Sequence, residues 1–105
     1  MGGDARGSIG RVSGYFQRVQ WRHDDAEDPV VLWAQVVDGW EVRKVDEFAD
    51  GRLAWADGEH ESGSTRLGVV PVPRPEEIAV DTQFVVEVVD ELAFERVWLR
   101  ARRGA

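Results

Sequence analysis

The sequence predicts an α+β domain, in which an antiparallel meander sheet of four to five strands carries a C-terminal helix packed on one face. Two Asp-Gly pairs separate stretches of strand length in the first half of the chain, and apolar residues recur with helical spacing near its end. Five tryptophans supply large side chains for a core in a chain that has no cysteine. One domain is the natural expectation for 105 residues. We assign residues 15–105 to it and residues 1–14, rich in Gly, Ser and Arg, to a flexible lead-in.

The first three elements follow from local patterns. Residues 15–22 alternate in the manner of a strand, and a polar loop at 23–28 follows. Residues 30–37 form an almost unbroken apolar run that suits a central strand. The pair Asp38-Gly39 then predicts a two-residue hairpin, because both central positions of a type I′ turn need positive φ.

The meander continues through a second hairpin. Residues 40–48 form the third strand, whose apolar positions slip out of alternation once, and this slip predicts a bulge near Arg43 and Lys44. An Asp-Gly pair at 50–51 indicates another turn, and residues 52–56 form the fourth strand.

The second half supplies the helix. The two prolines in 69–73 force an extended chain that lies at an edge or crosses a surface. Residues 75–78 look like a single helical turn opened by proline, and 84–89 could be a fifth strand. Asp90 is a suitable N-cap for a helix over 91–102. Its predicted apolar face consists of Phe94, Val97, Trp98 and Ala101.

Charge narrows the choice of partner. The net charge is −7, and residues 23–62 contain twelve acids against three bases. Such a surface repels phosphate backbones, so nucleic acid is not expected on the main surface. It suits a basic protein partner. No apolar run approaches the roughly 20 residues of a membrane span, so no membrane is expected either. Together with the absence of cysteine, this fits a cytoplasmic protein.

The residue types present favour no cofactor. Without cysteine there is no disulfide framework, zinc ribbon or thiol nucleophile. The only two histidines, His23 and His60, fall at opposite ends of the predicted meander, so they should not share a metal. The group His23-Asp24-Asp25 is either an acid–base group or a strand-end turn held by Asx bonds. We therefore expect no metal site and no catalytic residue.

Several stretches carry a resemblance to a known kind of protein. They are Trp21-Arg22-His23-Asp24, Trp40-Glu41-Val42-Arg43-Lys44-Val45 running to Phe48 and Asp50-Gly51, residues 63–68, Pro71-Val72-Pro73, Glu76-Glu77-Ile78 and Phe94-Glu95-Arg96-Val97-Trp98. From about residue 16 to residue 102 the chain resembles a family of short bacterial single-domain proteins of unknown function. Arg74 departs from the pattern, where a Ser- or Thr-like helix cap is expected. The resemblance implies a compact bacterial domain and carries over no activity and no site.

The leading functional hypothesis is a non-enzymatic acidic binding module, of the immunity type, that engages a basic protein. Trp98 and Trp33 are expected in the core. The other three tryptophans, Trp21, Trp40 and Trp55, either pack inside or face a partner. The candidate partner-binding residues are Trp21, His23, Asp24, Asp25, Glu27, Asp28, Trp40, Arg43, Asp50 and Trp55.

Two other interpretations remain open. One is a small enzyme or small-ligand-binding domain with a pocket between sheet and helix, in which Trp40, Arg43 and Trp55 form the walls and His23 or Glu61 moves a proton. The other is self-association, since extended edges can pair between chains and give a homodimer instead of a monomer.

Overall fold

The computed structural model describes residues 14–61 and 65–104. Seven elements follow in order: β1 (Gly14–Trp21), β2 (Val31–Val37), β3 (Trp40–Glu47), β4 (Leu53–Asp57), α1 (Pro75–Ile78), β5 (Phe84–Val89) and α2 (Glu91–Gly104). The predicted α+β class, with a five-stranded antiparallel sheet and a C-terminal helix, is confirmed. Of the predicted lead-in, residues 1–13 lie outside the described residues, and Gly14 already belongs to β1.

The sheet has the strand order β4-β3-β2-β1-β5, and every neighbouring pair is antiparallel. The first four strands form the predicted meander. The fifth strand pairs with β1 at the opposite edge from β4, so the chain between them must cross the sheet. We call the described residues 65–83 of this connection the crossover segment.

The first hairpin turn has the expected backbone, whereas in the second Asp-Gly pair Gly51 has positive φ and Asp50 does not. Asp38 and Gly39 have φ angles of 52° and 87°, which is the positive pair that a type I′ turn requires. Gly51, with φ of 91°, donates its N–H to the carbonyl of Phe48 over 2.9 Å. The predicted irregularity in β3 is also present: Gln35 pairs with Arg43 but Val36 with Glu41, which leaves Val42 as the extra residue.

The core lies between α2 and one face of the sheet. Asp90 accepts a hydrogen bond from the Ala93 N–H at 2.8 Å, as predicted for the N-cap. Phe94 is fully buried, and burying a phenylalanine side chain contributes about 2 kcal/mol. All four residues of the predicted apolar face are buried, and they pack with Val45 of β3.

The crossover segment lies on the other face of the sheet and is held by backbone donors. Val72 donates its N–H to the Gly39 carbonyl at 2.6 Å, and Gly68 donates to Glu41 Oε1 at 2.7 Å. At Arg74, where a Ser- or Thr-like cap was expected, the Glu77 carboxylate reaches back to the Arg74 N–H at 2.8 Å. The extended residues 69–73 therefore cross a surface. Among the described residues, no helix is both long and apolar enough to span a bilayer.

Candidate functional site

Most of the predicted partner-binding residues gather at one end of the sheet. Residues Trp21 to Asp28 close β1 and form the β1–β2 loop, and Asp50 lies in the β3–β4 turn, which the antiparallel order places at the same end. We call the carboxylates of Asp24, Asp25, Glu27, Asp28 and Asp50, taken together, the acidic end.

His23 fixes the loop that carries these acids. Its Nδ1 accepts the Asp25 N–H at 3.0 Å, which assigns the proton to Nε2 and makes that atom the donor to the Pro29 carbonyl at 2.8 Å. The ring also lies 4.3 Å from the Trp21 ring, centroid to centroid. Both ring nitrogens are therefore engaged in the loop itself, so the structure supports the strand-end turn rather than the acid–base group.

The carboxylates of the acidic end remain available. Asp25 Oδ1 accepts the Glu27 N–H at 2.9 Å, which closes an Asx turn. Asp24, Asp25 and Glu27 are exposed. Within residues 14–61 and 65–104 no salt bridge neutralises a carboxylate of the acidic end. The loop is thus held by its own hydrogen bonds and carries carboxylates that form no described salt bridge, while Arg52, Arg100 and Arg103 line a cleft beside the β3–β4 turn.

The other predicted binding residues lie elsewhere. Trp40 begins β3 at the opposite end of the sheet and is 46% exposed. Trp55 lies on the helix side, edge-on to Trp98 with ring centroids 5.4 Å apart, and Trp33 on that side is half-buried. Trp21 is half-buried and donates from Nε1 to Gln83 at 3.2 Å. The three undecided tryptophans therefore do not form one surface.

Arg43 points towards α2. Its guanidinium donates to the two carboxylate oxygens of Glu95 at 3.0 and 2.5 Å, and its Nε donates to Gln35 at 2.6 Å. It also lies 4.9 Å from the ring centroid of Phe94 and 5.1 Å from that of Trp98. We call this arrangement the Arg43 clamp. These three hydrogen bonds all go to side chains within the protein.

The middle of the space between the sheet and α2 is filled. An arginine-lined cleft of about 530 Å³ remains at the end of α2, where Gly51, Arg52 and Leu53 lie opposite Arg100, Arg103 and Gly104. The core residues of α2 pack directly on Val45, with Trp55 and Phe16 against them, so the pocket expected there is replaced by core. Neither His23 nor Glu61 lies in that layer, because His23 is in the β1–β2 loop and Glu61 forms a bridge with Ala56 at the opposite end of the sheet. The described residues contain no group of three or more His, Cys, Asp or Glu side chains able to hold a metal ion.

A pocket does exist on the opposite face of the sheet, beneath the crossover segment. It has a volume of about 450 Å³. Its floor includes Gln17, Ala34 and Lys44, which the register places in one row across β1, β2 and β3. Residues 70–73 form its roof, and its walls are mostly apolar. We call it the crossover pocket.

Polar groups lie at the floor of the crossover pocket and beside it. Lys44 Nζ is 3.9 Å from Glu41 Oε1 and 4.0 Å from Asp46 Oδ1. The Thr65 hydroxyl donates to Asp46 Oδ2 at 2.8 Å. Burial raises the pKa of Asp46, although the Lys44 charge and the Thr65 hydrogen bond both act to lower it.

Sequence reasoning missed these pocket residues. The sequence patterns place Gln17 in the alternating strand 15–22 and Lys44 beside a bulge, and they assign neither residue to a site. The available signal was the alternation itself, which puts Gln17 on the face opposite its neighbour Phe16, a residue that packs against the core.

Together these observations define a small α+β domain with a closed helix-covered face, a pocketed second face and an acidic end. A family model described as "Domain of unknown function (DUF6881)" matches residues 15–103, and the chain belongs to that family. The expectation of a family of unknown function is confirmed. No curated protein matches the chain. No solved structure matches it either.

Proposed function

We propose that this protein is a non-enzymatic binding module of the bacterial cytoplasm, whose acidic end engages a basic protein in the manner of an immunity protein that neutralises a toxin. The observation that carries the proposal is the hydrogen-bonded loop 23–28, whose exposed carboxylates form no salt bridge within the described residues. The module acts as a monomer or a homodimer.

Preorganisation supports this function. Binding by a flexible loop loses free energy to ordering, by about 0.5–1.5 kcal/mol for each immobilised side chain. Here His23 and Asp25 already hold the loop through three hydrogen bonds of 2.8 to 3.0 Å. The exposed carboxylates can therefore meet a basic surface without first being ordered.

Charge supports it as well. A cluster of like charges raises the association rate with an oppositely charged protein, and the effect falls with ionic strength. Asp24, Asp25 and Glu27 lie within four consecutive positions of one loop. Their field is therefore concentrated at one end of the molecule.

The placement of the titrating groups speaks against catalysis. Hydrogen bonds from the Glu59 and His60 N–H groups lower the pKa of Asp57, which closes a loop beyond β4. Hydrogen bonding from Arg43 lowers the pKa of Glu95 within the clamp. Asp46 lies beneath Thr65 on the other face of the sheet. Since these groups do not converge on one cleft, they offer no acid–base pair for a substrate.

The test is a matched pair of triple variants. Asp24→Asn, Asp25→Asn and Glu27→Gln remove three charges, while an Asn at position 25 keeps an oxygen to accept the Glu27 N–H. The control variant removes three exposed charges elsewhere, at Glu59, Glu76 and Glu91. A partner captured from the native host is then measured by stopped-flow association at several salt concentrations.

We expect the acidic-end variant to associate about tenfold more slowly at low salt and to lose most of its salt dependence. The control variant should keep more of the association rate at low salt and more of its salt dependence. The proposal is wrong if the two variants are equally affected, or if the acidic-end variant associates like the unmodified protein.

A further inference from the structure

The crossover pocket is distinct from the acidic end and has the dimensions of a ligand site. Its volume of about 450 Å³ falls within the range of roughly 300–1,000 Å³ that is usual for small-molecule sites. Its walls are largely apolar, with Val19 and Leu32 from the sheet and Ile78 and Phe84 from the far end of the crossover segment and β5. An apolar body is therefore the part of a ligand that these walls would cover.

Gln17 supplies an unsatisfied polar group on the pocket floor. The residue is only 4% exposed, and its Oε1 has no hydrogen-bond partner among the described residues. Buried amide oxygens are nearly always paired, so this one calls for an explanation. The terminal torsion of glutamine is broadly two-fold, and a half-turn exchanges the positions of oxygen and nitrogen. The oxygen is shielded in the present rotamer, so this half-turn is what would direct it towards a ligand.

Lys44 supplies a second polar group in the same row. Ala34 lies between it and Gln17, and two strand spacings put the backbones of Gln17 and Lys44 about 10 Å apart. Within the described residues, Lys44 Nζ has two ion pairs, at 3.9 and 4.0 Å, and no hydrogen bond. Its three N–H groups can therefore donate to an acceptor atom of a ligand.

The charges around the pocket select against a charged ligand. Glu41, Glu77 and Asp81 line it together with a single cation, Lys44. A carboxylate or phosphate ligand would meet three carboxylates for one ammonium group. The three carboxylates would attract a ligand ammonium group, but each of them already accepts a backbone N–H of the protein. At the floor the ammonium group would meet the Lys44 charge and could accept no hydrogen bond from it. A neutral group that both donates and accepts avoids both conflicts.

We propose that the crossover pocket binds a small uncharged molecule with an apolar body and one carboxamide group. The carboxamide forms a hydrogen bond with the side-chain amide of Gln17, and its oxygen also accepts from Lys44. The apolar body fills the space between the sheet and the roof at 70–73.

Three probes with one body and different head groups test the charge preference. They are 3-phenylpropanamide, 3-phenylpropanoate and 3-phenylpropylammonium, each titrated into the full-length ¹⁵N-labelled chain and followed by ¹H–¹⁵N correlation spectra. We expect saturable shifts at the backbone amides of Gln17, Ala34, Lys44 and Gly68 with the amide. The two charged probes should bind at least tenfold more weakly.

Two variants of one strand test the role of Gln17. Gln17→Leu should weaken the amide about tenfold and keep or raise the melting temperature, because it removes a buried unsatisfied oxygen. Gln20→Leu makes the same chemical change at an exposed position of the opposite alternation and should leave the amide affinity unchanged. If Gln17 had only a structural role, Gln17→Leu would not weaken amide binding while the melting temperature stayed the same or rose.

Four results would overturn the proposal. The first is a carboxylate or ammonium probe that binds as tightly as the amide, and the second is a Gln17→Leu variant that binds the amide as before. The third is a set of saturable shifts confined to the arginine-lined cleft at Arg100 and Arg103. The fourth is the absence of any saturable shift with any probe. None of these results bears on the acidic end, so the proposed function stands or falls separately.

Discussion

The Arg43 clamp provides a prediction that separates stability from partner binding. Arg43 was a candidate partner-binding residue, but its side chain is only 21% exposed and its donors go to Gln35 and Glu95. Arg43→Met keeps much of the apolar stem over Phe94 and Trp98 and removes the charged head. The substitution should therefore lower the free energy of unfolding without touching the acidic end.

The magnitude follows from the partial burial of the pair. Exposed ion pairs contribute about 0.2–1 kcal/mol, while removing one partner of a fully buried pair destabilises by about 3–5 kcal/mol. With Glu95 34% exposed and Arg43 21% exposed, the clamp lies between these limits. Adding the lost hydrogen bond to Gln35 and the cation–π contacts, we expect Arg43→Met to lower the free energy of unfolding by about 2 kcal/mol.

Urea unfolding followed by tryptophan fluorescence measures this change. With an m-value of about 2 kcal/mol/M, the midpoint should fall by about 1 M. The double-mutant cycle with Glu95→Gln should give a coupling energy of about 1 kcal/mol between the two side chains. A midpoint shift below about 0.2 M, or a coupling energy near zero, would refute the reasoning, as would a loss of partner affinity at unchanged stability.

The pH dependence of the same pair has a definite sign. Hydrogen bonding from Arg43 lowers the pKa of Glu95 below its ordinary value of 4.5, against a smaller opposing effect of burial. The unfolded chain then binds more protons than the folded chain, so stability rises with pH in that window. The contribution is complete above pH 4.5 and is lost as the pH falls through the folded-state pKa. Glu95→Gln should flatten this part of the acid unfolding profile.

Two further substitutions probe the second face and a turn. Burial raises the pKa of Asp46 above 3.8, so the folded chain holds the extra proton and this group lowers stability at neutral pH, even with Lys44 and Thr65 beside it. Asp46→Asn should therefore raise the free energy of unfolding at pH 7 by on the order of 1 kcal/mol and unfold at a higher urea concentration. The gain should vanish below pH 3.8, and a less stable variant at pH 7 would contradict this reasoning. Gly39→Ala should destabilise the protein by about 1 kcal/mol in the same assay, because φ is 87° at that position. Gly58→Ala should not, although a new Cβ would meet no neighbour at either position. Equal effects of the two substitutions would rule out backbone strain as the cause.

The elements that the sequence predicts well are those whose determinants are local. The hairpin at Asp38 and Gly39 depends on two φ angles, and the buried face of α2 depends on spacing within one helix. The cap at Asp90 depends on a side chain three residues from its donor. None of these needs information about where the rest of the chain packs.

The crossover pocket could not be predicted in the same way, because its parts meet through a bulge and a long connection. Strict alternation would put Glu41 and Lys44 on opposite faces of β3, but the extra residue Val42 brings both to the pocket. No pattern in the sequence of residues 58–83 predicts which face of the sheet the chain crosses. The position of Arg43 follows from alternation alone, since Arg43 lies two residues from Val45 and therefore on the side that α2 covers.

The acidic end and the crossover pocket act over different distances, and this difference allows them to be studied apart. The acidic end works through exposed charges, which salt screens over about 8 Å at physiological ionic strength. The pocket works through contacts of a few ångströms around a buried amide and an apolar wall, which salt scarcely changes. Binding of a basic protein should therefore weaken steeply with added salt, while binding of a neutral amide should not. If both fell together, one surface would be responsible for both, and the division of the molecule into two independent sites would be wrong.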